Sequence, residues 1–140
     1  LESTVIKTYR NEIDILRLGS ITVEAIKNKF SKTKITINNS YSKLSPGNQL
    51  KHYSPNLPIR LNVIDVKNNE GLLNFGNNNL KSIICEYNLS PSSDLNEAGK
   101  NFFNYLHLID RSKCSSIAVA PIPNYGLGKT INDRLNRAAS

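Results

Sequence analysis

The feature that most constrains the fold is a short apolar stretch between two amphipathic helical patterns. Residues 116–121 are Ser-Ile-Ala-Val-Ala-Pro, which is typical of a strand buried in a parallel sheet. The pattern before it begins at Asp94, has a capping-box Glu97, and places its apolar residues at Leu95, Ala98, Phe102, Leu106 and Ile109. The pattern after it covers residues 126–139, with Leu127, Ile131, Leu135 and Ala138 on one face. With strand-like segments at 59–66, 71–75 and 82–89, this alternation predicts an α/β domain with helices on a mostly parallel sheet.

The first 57 residues have a different character. Segments 3–9 and 12–17 alternate as strands do, and Arg10–Asn11 between them predicts a hairpin. Thr22 is placed as an N-cap, and Val23, Ile26 and Phe30 follow at helical spacing. Residues 31–57 are rich in serine and have no sustained apolar period, so we interpret them as a linker or a functional loop.

Composition excludes some classes of protein and leaves others open. The net charge of +7 permits contact with nucleic acid or phosphates without establishing it. The chain has no run of 18 apolar residues, and its first ten residues lack the apolar stretch of a signal peptide. Cys85 and Cys114 lack metal-ligand spacing, so we predict no metal site. We favour two buried thiols over a disulfide between them, although a disulfide is left as an alternative.

Two candidate motifs have simpler interpretations. The sequence Gly126-Leu-Gly-Lys129-Thr130 follows an apolar strand and opens a helix, as a phosphate-binding P-loop does. However, Pro123 stands where that loop needs its first glycine, so we predict a tight turn, with a weak anion site left open. His107 lies off the apolar stripe of its helix and is interpreted as a half-exposed structural residue.

A third motif lies in the predicted linker. Two prolines bracket the segment Ser45-Pro-Gly-Asn-Gln-Leu-Lys51-His52-Tyr53-Ser-Pro55. In an extended chain Lys51 and Tyr53 would point one way and His52 the other, which would suit a clamp on a small anion. From chemistry alone, a solvated loop with an incidental histidine explains the same residues.

Several stretches, taken in order, resemble one family. Residues 1–5, Leu-Glu-Ser-Thr-Val, and 15–21, Ile-Leu-Arg-Leu-Gly-Ser-Ile, are similar to the closing strands of a YrdC-like catalytic domain, and the bracketed segment is similar to the linker that follows it. Residues 89–98, 118–123 and 126–139 resemble the accessory domain of the two-domain, long-form L-threonylcarbamoyladenylate synthases. The resemblance implies that 1–30 end the catalytic domain, 31–57 form the linker, and 58–140 form a small Rossmann-like α/β accessory domain.

The resemblance also implies a reaction and a set of site residues. The family joins threonine, bicarbonate and ATP into threonylcarbamoyl-AMP and pyrophosphate, for threonylcarbamoyladenosine modification of tRNA. By position, Ser3 or Thr4 would bind the threonine or adenylate portion, and Arg17 would face the nucleotide phosphate. Lys51, His52 and Tyr53 would form a lid over the cleft. ATP would act as a substrate, with Mg²⁺, and no organic cofactor would be bound.

Departures from the family pattern are few. Leu18 replaces a proline, Asn48 replaces a methionine, and Lys51 stands for an arginine. The substrate and nucleotide motifs of the family belong before residue 1, so we expect this chain to need an N-terminal YrdC-like domain as its partner and to be inactive alone. We expect it in the cytoplasm, away from membranes, and connected to tRNA indirectly, through a downstream transferase. The alternative is a stand-alone basic module that binds RNA, a nucleotide or a tRNA-modification partner.

Overall fold

The computed structural model describes residues 1–38 and 54–140 as two sheets and three helices. In these ranges no helix is long and apolar enough to cross a membrane. The elements are β1 Val5–Thr8, β2 Glu12–Arg17, α1 Val23–Lys29, β3 Lys34–Ile37, β4 Ile59–Arg60, β5 Glu70–Asn74, β6 Glu86–Asn88, α2 Leu95–Asp110, β7 Ser116–Val119 and α3 Leu127–Ala139.

The predicted hairpin and first helix are confirmed, but Phe30 was wrongly placed on the buried face: it is the C-cap of α1 and is exposed. β1 and β2 pair antiparallel, and the Tyr9 N–H donates to the Glu12 carbonyl across the turn at 2.8 Å. The Thr22 hydroxyl accepts from the Ala25 N–H at 3.1 Å, as an N-cap does. The small core of this unit consists of Ile13, Ile15, Leu18, Val23 and Ile26.

A third strand extends this sheet into the range that the sequence analysis assigned to the linker. β3 pairs with β2 in parallel, and Ile35 lies opposite Ile13. The order β1-β2-β3 leaves α1 as the connection between the two parallel strands, which is the usual use of a helical crossover.

The second sheet is fully parallel, with the order β4-β7-β5-β6. Its strands β5 and β7 place Leu73, Ile117 and Val119 against the buried faces of α2 and α3. Both helices therefore lie on one face of the sheet, and the predicted α/β fold with a mostly parallel sheet is confirmed.

Loops cover the other face. Leu72 and Ala118 pack there against Val63 from the loop after β4, with Val66 and Leu80 at the margin. The prediction of a strand over 59–66 was wrong beyond Arg60, because Asn62 has a φ of 52° and turns the chain into this loop. Asparagine is one of the few residues that tolerate this conformation.

The N-cap of α2 is confirmed, but the group that binds the Asp94 N–H differs from the predicted capping box. The Asp94 carboxylate accepts from the Asn96 and Glu97 N–H groups at 2.8 and 3.4 Å. The Asp94 N–H donates to the Ser90 hydroxyl at 2.8 Å, so the fully buried Ser90 takes the place that the capping box gives to the Glu97 side chain. His107 lies exposed in the last turn of α2.

Candidate functional site

The structure brings together the three sequence-predicted binding residues that it describes. Ser3 and Thr4 come immediately before β1, and Arg17 is the last residue of β2. The antiparallel register pairs Val5 with Arg17, and an irregularity between Val5 and Ile6 ends the regular ladder there. Residues 2–4 and 17–21 therefore run side by side at one end of the first sheet.

The Thr4 hydroxyl fastens these two segments to each other. It donates to the Ile21 carbonyl at 2.7 Å and accepts from the Ile21 N–H at 3.1 Å. A hydroxyl has a single hydrogen to donate, so the Thr4 hydroxyl has no donor left for a ligand.

Arg17 and Ser3 lie next to each other with groups that suit ligand binding. The Arg17 Nε–H donates to the Ser3 carbonyl at 3.1 Å, which holds the guanidinium against the chain before β1. Ser3 is exposed, and its hydroxyl makes no hydrogen bond to any residue that the structure describes. A serine hydroxyl and a planar guanidinium on neighbouring residues are groups that can bind phosphate or carboxylate oxygens.

Gly19 lets the two segments approach this closely. A Cβ at position 19 would overlap the backbone of Ser3 and Thr4. Next to it, the Ser20 N–H donates to the Glu2 carbonyl at 2.8 Å. No side chain fits at position 19 without separating the segments that carry Ser3 and Arg17.

The predicted lid residues Lys51, His52 and Tyr53 lie outside the described residues. The structure resumes at Ser54, and the following residues are fixed to the end of α2 by the Asp110 carboxylate. Its oxygens accept from the Leu57 N–H at 3.0 Å and the Asn56 N–H at 3.1 Å. A cavity of about 450 Å³ lies between this segment and the side of α2. It is lined by Ser54, Pro55, Asn56, Phe103, Asn104, Leu106, His107 and Asp110.

The start of α3 is occupied by a carboxylate of the protein itself. The Glu24 Oε1 accepts from the Gly126 N–H at 3.3 Å. Its own backbone N–H lowers the pKa of Glu24, and the Gly126 N–H and the charges of Lys129 and Lys27 lower that pKa further. One N–H at the start of this helix, where a weak anion site was left open, therefore already has a carboxylate partner from within the fold.

The cysteines and acidic residues form no metal centre in the parts of the chain that are described. There, no group of three or more histidine, cysteine or acidic residues is placed to hold a metal ion. Both cysteines are free thiols, Cys114 buried and Cys85 partly buried, on either side of the Ser112 hydroxyl at 3.0 and 3.3 Å.

Sequence reasoning missed the polar groups that attach this site to the second sheet. The Arg134 guanidinium binds Glu2 and the Leu18 carbonyl, and Thr130 binds the Gly19 carbonyl. Thr130 and Arg134 lie in the range 126–139, which the sequence indicated only through its resemblance to the accessory domain. Their contacts join residues more than 100 positions apart, which no local spacing indicates.

Comparisons with known proteins match the larger part of the chain to one family. The family model described as "Threonylcarbamoyl-AMP synthase, C-terminal domain" matches residues 21–140. The comparison with curated protein sequences finds no significant match.

A solved structure has a similar fold. It is the crystal structure of P. abyssi Sua5 complexed with L-threonine, with a TM-score of 0.73 at 20% sequence identity. The match covers 99% of this chain and 45% of that chain, so this chain spans less than half the length of the solved protein. Because the family model matches most of the sequence, the chain belongs to the family of threonylcarbamoyl-AMP synthase C-terminal domains.

Proposed function

We propose that this chain acts as the C-terminal part of a threonylcarbamoyl-AMP synthase that supports tRNA modification in the cytoplasm. In that reaction the threonine amine and bicarbonate form a carbamate, with loss of water. A carbamate oxygen then attacks the α-phosphorus of ATP, and pyrophosphate leaves. ATP is a substrate here, and Mg²⁺ enters with it through the phosphate oxygens.

The observation that carries the proposal is the contact between Arg17 and Ser3. The Arg17 Nε–H donates to the Ser3 carbonyl at 3.1 Å, and Ser3 itself is exposed. We assign Arg17 to the nucleotide phosphate and Ser3 to the threonine or adenylate portion. Thr4 then has a supporting role, since its one donor is used on Ile21.

Lys51, His52 and Tyr53 complete the proposed site as a lid. The carbamate and the mixed anhydride both hydrolyse in water, so excluding water protects the intermediates. Asp110 fixes the backbone of Asn56 and Leu57, three to four residues beyond Tyr53, and so gives the proposed lid a fixed end.

The remaining catalytic groups belong to the partner, a YrdC-like catalytic domain. Similarity to less than half of the solved Sua5 chain supports this division. We therefore expect the 140-residue chain alone to release no pyrophosphate from ATP in the presence of threonine and bicarbonate. Turnover by the purified chain above background would contradict the division of labour.

The proposal is tested by substitutions in the complete two-domain enzyme. Arg17→Ala removes a charge-assisted contact of about 1.5–3 kcal/mol, which corresponds to a roughly ten- to hundredfold loss of kcat/KM. Arg10→Ala is the matched control, because Arg10 is an exposed arginine at the hairpin turn of the same sheet. Equal rates for both variants, measured as pyrophosphate release, would refute the role of Arg17.

A second candidate function, RNA binding, is favoured by the hairpin tip. Lys7 Nζ lies 5.2 Å from the centre of the Tyr9 ring, and Tyr9 is 45% exposed beside the exposed Arg10. Exposed aromatic and cationic side chains together suit stacking on bases and contact with phosphates. A tRNA titration of the chain distinguishes this function: salt-dependent binding that Tyr9→Ala weakens supports it, and an absence of binding at low salt refutes it.

A further inference from the structure

Helix α3 of the second sheet contacts the turn that carries Arg17. The Thr130 hydroxyl donates to the Gly19 carbonyl at 2.9 Å, and Thr130 is only 2% exposed. The Arg134 Nη2 donates to the Leu18 carbonyl at 2.7 Å. These bonds occupy the backbone carbonyls of the two residues that follow Arg17.

The same arginine also holds the segment that carries Ser3. Arg134 Nε and Nη2 donate to Glu2 Oε2 at 3.1 and 3.0 Å, and Arg134 Nη1 donates to Asp133 Oδ2 at 2.8 Å. The side chains are mostly buried, with 11% of Arg134 and 19% of Glu2 exposed. Little water reaches these ionic hydrogen bonds, so they are stronger than the same bonds at an open surface.

One guanidinium therefore fixes both halves of the candidate site. It binds Glu2, next to Ser3, and Leu18, next to Arg17. The planar fork of arginine makes these bonds in fixed directions, which a lysine cannot reproduce. Moving α3 would move the two segments whose spacing sets the distance from the Ser3 hydroxyl to the Arg17 guanidinium.

We propose that Arg134 and Thr130 are positioning residues for threonylcarbamoyl-AMP formation, through which α3 sets the spacing of Arg17 and Ser3. The inference rests on the proposed function and adds a role for the C-terminal domain in it. Neither residue is assigned a substrate contact; each acts through the backbone at 18–19, and Arg134 also acts through Glu2.

Arg137 provides the matched control for a role in which an α3 arginine merely fastens the helix to the rest of the fold. Arg137 lies on the same helix and pairs with the same aspartate, through Nε to Asp133 Oδ2 at 3.1 Å. It has no hydrogen bond or ion pair with residues 1–19 in the described part of the chain. Arg137→Gln therefore removes an α3 arginine and leaves the turn after β2 in place.

The test measures local opening and catalysis on the same variants of the complete enzyme. Local opening is followed by amide exchange of Ser20, which donates to the Glu2 carbonyl, and Ile21, which donates to Thr4. We expect Arg134→Gln to raise exchange at both amides about tenfold or more and to lower kcat/KM by a similar factor. Thr130→Val, a milder change of similar shape, should act in the same direction, and Thr130→Ser should restore the wild-type values.

Four outcomes decide the matter. Faster exchange and a lower kcat/KM in Arg134→Gln and Thr130→Val, with both values unchanged in Arg137→Gln, support the positioning role. Unchanged exchange in both Arg134→Gln and Thr130→Val overturns it and leaves the proposed function standing. The positioning role is also overturned if Arg134→Gln and Thr130→Val exchange faster but keep a normal kcat/KM, while Arg17→Ala is inactive. Normal activity of Arg17→Ala overturns the proposed function of Arg17, and the positioning role with it.

Discussion

Removing the Asp110 carboxylate tests whether the segment after the proposed lid is anchored to α2. Asp110 is the last residue of α2, where a negative charge is unfavourable for the helix dipole. Its carboxylate compensates by accepting from the Leu57 N–H at 3.0 Å and the Asn56 N–H at 3.1 Å. Asp110→Ala leaves both N–H groups without this acceptor.

The size of the effect follows from these two bonds. An intramolecular hydrogen bond contributes about 0.5–1.5 kcal/mol net, and Asn56 is exposed, so the pair contributes about 1–2 kcal/mol. A loss of that size changes an opening equilibrium by a factor of about 5–30. We therefore expect amide exchange of Asn56 and Leu57 to accelerate by about 5–30-fold, while amides in β5 and β7 keep their protection.

His107→Ala is the matched control for this experiment. His107 lines the same cavity as Asp110 and makes no side-chain hydrogen bond to residues 54–57. In the complete enzyme, Asp110→Ala should also slow adenylate formation, because the proposed lid would lose its fixed end. Exchange at Asn56 and Leu57 that matches the His107→Ala variant would refute the anchoring.

Two further predictions concern the second sheet. The Arg60 guanidinium holds the pKa of the buried Glu70 below its ordinary 4.5, so Glu70 stabilises the fold above that pH and this contribution is lost as the pH falls through the lowered pKa. Thermal melts should show a smaller acid loss in Glu70→Gln than in wild type, and equal losses would contradict the pairing. In Gly71→Ala the new Cβ would lie 2.7 Å from Ile109 Cγ2 and 3.0 Å from Cys85 Sγ, so urea titration should show about 1–3 kcal/mol of destabilisation. Wild-type stability would show that the sheet and α2 adjust freely there.

The helices were predictable because their signals are local. Thr22 and Asp94 cap α1 and α2 as their positions in the sequence indicated. Four of the five predicted apolar positions of α2 are buried, and the buried face of α3 contains Ile131 and Leu135 as predicted. An N-cap and a helical period are complete within a few residues, so the sequence contains the whole signal.

The strands were less predictable, because their identity depends on distant partners. The sequence Lys34-Ile-Thr-Ile37 alternates over only four residues, and it becomes β3 by pairing with β2. β4 has two residues and is defined by its parallel pairing with β7, 58 positions further on, as Ile59 lies opposite Ile117. Residue spacing alone does not indicate these short strands. It also does not indicate that loops, and not helices, cover the second face of the parallel sheet.

The site itself was only half predictable, for a related reason. Resemblance selected Ser3 and Arg17, and the register of the hairpin brings them together. It left Ser3 and Thr4 as alternatives, and the structure shows how they differ: the Thr4 hydroxyl bonds Ile21, whereas Ser3 is exposed. Whether a hydroxyl is available for a ligand depends on what it already contacts, which only the folded chain shows.

The start of α3 follows the same logic, because Gly126, Gly128 and Thr130 of its P-loop-like motif are all used inside the fold. The Gly126 N–H binds Glu24, and Gly128 leaves room for the Pro123 carbonyl that a Cβ there would overlap. The Thr130 hydroxyl, which a P-loop would direct to a metal ion, binds the Gly19 carbonyl. Through these contacts α3, which packs on the second sheet, also binds residues of the first unit. In this chain the motif therefore joins two structural units: the Gly126 N–H binds Glu24 of α1, and the Thr130 hydroxyl holds the turn beside Arg17.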